Sequence, residues 1–139
     1  MSGIMGYATY LPYYRLKRAS IAATLGGPPA KGTRAVASYD EDSTSMAVAA
    51  GRRLLAGVPA DLGALYFATT TPAYLDKTNA TAVHAALGLP AGVGAYDLGG
   101  AVRSAVGALR AALGSSRPTL VVAADIRTGL PGSEDERDG

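Results

Sequence analysis

Short apolar runs at residues 64–69, 93–98 and 119–124 are separated by stretches whose apolar residues recur at helical spacing, and this alternation most constrains the fold. Apolar runs of that length, bounded by turn signals, fit strands buried on both faces. Between the first two, Thr78 or Asn79 caps a helix with Ala80, Val83 and Leu87 on one face and Gly88 at its end. Between the second and third, Val102, Ala105, Val106, Leu109 and Leu113 define the most regular helix, closed by Gly114. Earlier, Asp42 or Ser43 caps a helix carrying Met46, Ala50 and Leu54 and ending near Gly57. Strands alternating with helices imply right-handed crossovers, and so an α/β fold: a mainly parallel sheet with helices on both faces.

Residues 4–11 alternate small or polar with apolar side chains and end at Pro12, which predicts a first strand. Residues 13–34 hold Arg15, Lys17, Arg18, Lys31 and Arg34 around the breakers Gly26, Gly27, Pro28 and Pro29, which predicts a short helix feeding a mobile loop. That loop is no nucleotide phosphate cradle, because Lys31 precedes Gly32 and Thr33 instead of sitting between a glycine and a hydroxyl residue. At 139 residues the chain is expected to be one domain, 1–139, with a polar tail from about residue 127 that has nothing to cover a sheet edge. The pattern reads as stopping early.

A hydrophobic share of 48% against 17% charged excludes general disorder. No apolar run approaches the roughly 18 to 20 residues of a membrane helix, and residues 1–10 lack the features of a secretory signal, so a cytoplasmic protein is expected, without a membrane partner. The formal charge of +2 is too small to argue for nucleic acid, although bases crowd the front of the chain and Glu134, Asp135, Glu136 and Asp138 its end. There is no cysteine and one histidine, His84, which excludes disulfides, thiolate metal sites and a cysteine nucleophile, and leaves no metal site in view.

Ligands of open parallel sheets bind beyond the carboxyl ends of the strands. Three segments are expected there: Thr69-Thr70-Thr71-Pro72, Asp97 through Ser104, and Asp125-Ile126-Arg127. The second joins a strand, a Gly-Gly turn and a helix, which presents backbone amides and a positive dipole end to an oxyanion or a nucleophile; glycines that only let helix and strand pack closely are the plain alternative. Arg103 beside that helix start calls for an anion, with Asp97 or a ligand oxygen as its partner, unless it points to solvent or into a subunit contact. Ser104 makes a poor nucleophile, because the one histidine lies on another helix, where it reads as a surface or packing residue. Asn79-Ala80-Thr81 matches a glycosylation sequon, a coincidence inside a helix when no secretion signal is present.

Gly6 through Pro12, Tyr39 through Ala47, Ala68 through Lys77 and Asp97 through Leu109 occur in the order seen in the thiolase superfamily. Over essentially its whole length the chain resembles the N-terminal half of hydroxymethylglutaryl-CoA synthases and type III ketoacyl-carrier-protein synthases. The resemblance implies the N-terminal half of a thiolase-like fold, acyltransferase chemistry, a coenzyme A thioester as ligand and a place in lipid or polyketide metabolism. Counting five positions from Asp97, as the family does to its cysteine, lands on Val102, whose isopropyl group forms no thioester. The synthases also place a glutamate near residues 69–77, where this chain has no carboxylate between Asp61 and Asp76. The family's histidine and its asparagine or second histidine would lie in a C-terminal half.

These readings put the acyl pocket at Thr70, Thr71, Asp97, Val102, Arg103 and Ser104, and the coenzyme A phosphates, by position in the family, at Arg15, Arg18, Lys31 and Arg34. No covalently bound cofactor is expected. Three functions follow: an acyl-CoA-binding or accessory subunit with a degenerate site, inactive alone; half of a transferase that makes or breaks a carbon-carbon bond, completed by a C-terminal half or a partner; or a structural dimerisation module. The family's sheet order puts residues 93–98 at an edge, so a homodimer with Ala95 and Tyr96 near its twofold axis, or a complex with a complementary half, is expected.

Overall fold

The computed structural model describes residues 3–28, 31–58 and 61–127. They fall into two compact units, one drawn from Met1–Tyr10 and Asp42–Asp125, the other from Leu11–Glu41 and Ile126–Gly139.

The first unit holds helix α2 (Ser43–Gly57), strand β3 (Ala64–Thr69), α3 (Asn79–Ala86), β4 (Gly94–Gly99), α4 (Ser104–Leu113) and β5 (Thr119–Ala123). Its three strands are parallel, in the order β4-β3-β5, with Ala64 opposite both Gly94 and Thr119. The chain steps from β3 to one edge through α3, then back across the sheet to the other edge through α4. Right-handed crossovers in opposite directions put these two helices on opposite faces. Leu65 and Phe67 of β3 and Leu120 and Val122 of β5 point to the α2–α3 face, where they form the core with Ala47, Ala80 and Val83. On the other face Ala108 is the buried residue of α4.

The capping chemistry read from the sequence is present at α2. Asp42 Oδ1 accepts from Ser45 N at 2.6 Å, and Ser45 Oγ accepts from Asp42 N at 2.8 Å, a reciprocal pair that satisfies two helix-end donors. At the end of α3, Gly88 adopts φ +64°, where a side chain would be strained. The strands at 64–69, 93–98 and 119–124 are found within one residue of expectation.

Residues 4–11 are not a strand. A strand needs an edge to pair with, and among the described residues no backbone hydrogen bond ties Gly3–Ala8 into a ladder. The segment is held by side chains instead: Arg53 Nη1 donates to Thr9 O at 2.8 Å and its guanidinium lies 5.2 Å from the Tyr10 ring centroid. Gly6 sits so close to α2 that an added Cβ would come within 2.7 Å of Val58 Cγ2.

The second unit carries β1 (Tyr14–Lys17), α1 (Arg18–Leu25) and β2 (Thr33–Val36), with β1 and β2 antiparallel. The short helix is found where it was predicted, but the strands on either side of it are an addition. Four residues, Tyr-Arg-Leu-Lys, alternate too briefly to stand out, and only pairing across the intervening helix makes them a strand. Pro29 and Ala30 of the expected loop, and the tail from residue 128, lie outside the described residues. Asp40 titrates below the usual carboxylate range, chiefly because the Ser38 side chain hydrogen-bonds its anion, with its own backbone amide assisting.

Candidate active site

The carboxyl ends of the parallel strands carry two of the expected loops in the first unit. Thr69 is in register with Gly99, so the hydroxyl loop after β3 and the glycine turn after β4 leave the sheet side by side. Gly100, at φ +93°, makes a turn that a residue with a side chain would strain.

The loop after β3 is organised by Asp125, just beyond β5. Its Oδ1 accepts from Thr70 N at 2.6 Å, from Thr70 Oγ1 at 3.0 Å and from Thr69 Oγ1 at 3.2 Å. Thr69 Oγ1 in turn accepts from Thr71 N at 3.0 Å, and Ser43 at the start of α2 donates to Thr71 O at 2.7 Å. Three donors on one oxygen fix Thr70 through backbone and side chain together, and Thr69 carries the hold on to Thr71.

Asp97 has a different task from the one expected. Its Oδ2 accepts from Asn79 N at 2.7 Å and its Oδ1 from Ala80 N at 2.6 Å, so it caps α3 from a neighbouring strand. The Thr78 side chain makes no capping bond. Asn79, 3% exposed, completes the corner by bridging Tyr74 through its own side chain, accepting from Tyr74 N and donating to Tyr74 O, each at 2.9 Å. With both oxygens committed to α3, Asp97 is not the partner expected for Arg103, and among the described residues Arg103 has no ion pair.

Helix α4 begins at Ser104, two residues later than the apolar spacing implied. Ala101, Val102 and Arg103 form the turn before it, closed by Ser104 N donating to Ala101 O at 2.9 Å. Val102 is 71% exposed. Ser104 Oγ donates to Gly99 O at 3.1 Å, so its proton closes the turn and faces no base. His84 is half-buried with Nε2 3.1 Å from Pro90 O, a satisfied packing position.

In the second unit, Arg15 is turned back on its own strand, donating to the carbonyls of Pro12, Tyr13 and Tyr14. Arg34, 9% exposed, donates to Arg127 O, so it supports the unit's interior. Lys31 is exposed and Arg18 half-buried. The sequence places Asp125 in a loop of interest, and Ser43 and Asn79 only as candidate helix caps; none of the three is legible there in the part it plays. The available signal was three consecutive hydroxyl residues after a buried strand, which need an acceptor.

No family model matches the chain. It is 35% identical over 145 residues to the hydroxymethylglutaryl-CoA synthase of Aeropyrum pernix, covering 94% of this chain and 40% of the relative. To that of Methanopyrus kandleri it is 33% identical over 145 residues, covering 94% of this chain and 41% of the relative. The chain thus spans about two-fifths of the length of these curated relatives. Among solved structures, MvaS in complex with 3-hydroxy-3-methylglutaryl coenzyme A superimposes with a TM-score of 0.85 at 25% identity, over 96% of this chain and 36% of that one. A 3-oxoacyl-(acyl-carrier-protein) synthase III does so with a TM-score of 0.80 at 27% identity, over 89% and 42%. The chain is therefore a relative of the thiolase-superfamily condensing enzymes, with the fold of part of a hydroxymethylglutaryl-CoA synthase or type III ketoacyl synthase and no cysteine among its 139 residues.

Proposed function

We propose that this chain is an accessory, acyl-CoA-binding half of a thiolase-like assembly, in which the acyl thioester is held without being transferred to the protein. The observation that carries this reading is Val102, in the exposed turn before α4, five positions after Asp97. An alkyl side chain there offers no lone pair to attack a thioester, and Ser104 spends its proton on Gly99 O. What the site keeps is the start of α4, whose positive dipole end suits the carbonyl of a bound thioester, beside a loop that Asp125 and Thr69 hold in place through Thr70 and Thr71. Arg103 is the nearest cation in sequence, and Arg15, Arg18 and Lys31 are the candidates for the coenzyme A phosphates; Arg34 serves the fold.

A second reading is supported by the two-fifths coverage: the chain is one part of a carbon-carbon bond forming transferase whose acid and base come from the remaining length or from a partner. A homodimer is proposed through β4, which is an edge strand with Tyr96 55% exposed.

Titration with acetyl-CoA in a calorimeter tests the first reading. Saturable binding that weakens as salt is raised, and that falls when Arg15, Arg18 and Lys31 are all replaced by glutamine, is expected. Binding unchanged in the triple variant would remove these bases from the ligand site, and no binding at all would remove the reading.

A further inference from the structure

Residues 18–32 leave the β1–β2 ribbon and return to it at a closed base: Lys17 is in register with Thr33, and Arg18 N donates to Gly32 O at 3.1 Å. The excursion holds α1, and α1 lacks what keeps a short helix folded. It has eight residues, where an isolated helix needs about 12 to 15 to persist in water. None of the eight is buried, and Ala19, Ile21, Ala22, Ala23 and Leu25 are spread too widely to form one apolar face. No side chain caps its start, no acidic residue stands in its first turn and no basic one in its last. Lys17 and Arg18 put two positive charges at the end where the helix dipole favours anions. Thr24 Oγ1 donates to Ser20 O at 2.9 Å, a back-bond that adds nothing to the helix ladder.

The ribbon below is built differently. β1 and β2 pair from Tyr14 with Val36 to Lys17 with Thr33, and the buried Arg34 donates to Arg127 O. Between ribbon and helix the chain bends at glycines: Gly26 at φ +71° ends α1 and Gly32 at φ +90° closes the base, and a Cβ added at either would meet nothing within 4 Å. A helix without a packed face, joined to a paired ribbon through bends in open space, costs little free energy to open locally.

We propose that α1 folds when coenzyme A binds: in the free protein residues 18–25 exchange between helix and open chain above the fixed ribbon, and the bound phosphates draw them into the helix. Two of the three bases named above for those phosphates lie on the excursion, Arg18 as the first residue of α1 and Lys31 next to Gly32 at its base. An anion held by this pair cancels the charge that opposes the dipole at the start of α1, so it interacts better with the helical form than with the open one. The coupling presupposes the acyl-CoA reading and adds a conformational step to it: apparent affinity then depends on how much of the free protein is already helical.

Hydrogen exchange read by NMR on the whole chain, with and without acetyl-CoA, tests this step. Without ligand, the amides of residues 22–25 should exchange at least about tenfold faster than those of the β1–β2 ladder. With saturating acetyl-CoA they should slow by about tenfold or more, while the ladder amides stay as they were. Uncharged substitutions at exposed positions then move α1 alone. Ala23→Gly, which weakens the helix, should loosen acetyl-CoA binding by about fivefold, and Ser20→Ala with Thr24→Ala, which strengthens it, should tighten binding by about threefold. The denaturant midpoint should not move in either variant. Saturable binding that leaves the exchange of α1 unchanged, or one affinity for all three proteins, would overturn the coupling and leave the acyl-CoA reading standing. Slow exchange of α1 in the free protein, or a shift of the midpoint in place of the affinity, would overturn it as well, since α1 would then be part of the rigid fold. No binding of acetyl-CoA at all would remove both.

Discussion

The two loops that leave the sheet at Thr69 and Gly99 start side by side but are built differently. The one after β3 is tied by five hydrogen bonds reaching Asp125, Thr69 and Ser43. Among the described residues, the turn after β4 is closed by Ser104, through its amide and hydroxyl, and leaves Val102 largely in solvent. One loop is an integral part of the fold; the other carries a side chain that the fold does not depend on. This division leaves Val102 outside the network that holds the loop after β3.

Removing the carboxylates that build the site is expected to have the largest effect. Asp97→Ala strips α3 of its cap and should lower stability by about 2 kcal/mol, read as a drop in the denaturant midpoint at unchanged slope. Asp97→Asn, which keeps one acceptor, should recover part of the loss. If Asp97→Ala proves neutral, α3 does not depend on β4 for its start. Asp125→Ala comes next, at about 1.5 kcal/mol, because it leaves the Thr70 amide and two hydroxyls without their acceptor. Faster amide exchange at Thr70 and Thr71, with Ser104 unaffected, would confirm that the two loops are held separately.

Much of the scaffold beneath these loops could be read in advance, because its signals are local. Asp42, one of two candidate caps, marks the start of α2, and the unbroken run at Ala64–Thr69 marks β3 to the residue. The misses depend on contacts between distant residues. Residues 4–11 alternate like a strand but have no neighbour to pair with, and β1 exists only through its pairing with β2 across α1. The sequence offers Asp97 only as one possible partner for Arg103, since no spacing rule reveals that a strand residue 18 positions away in sequence caps α3. Asp125 lies 55 residues from Thr70 and could not be joined to it by periodicity.

A smaller effect of opposite sign is expected on the rigid side of the comparison. Thr44, 8% exposed beside Ser43, has a buried hydroxyl without a hydrogen-bond partner among the described residues. Thr44→Val keeps the shape and removes the unpaired group, and should raise stability by about 1 kcal/mol. A loss of stability would mean that this hydroxyl has a partner in solution. The smallest change is expected in the open turn: Val102→Cys should alter stability by less than about 0.5 kcal/mol. The new thiol, before a helix N-terminus, should be alkylated readily with a pKa below about 8.5. Slow alkylation would contradict the exposure of this turn.

The proposed role requires that the acyl group never pass to the protein. Wild-type chain incubated with radiolabelled acetyl-CoA, then denatured and separated, measures this directly. The expected result is no covalent label on the chain, even at concentrations that saturate calorimetric binding; stoichiometric labelling that survives denaturation would contradict it.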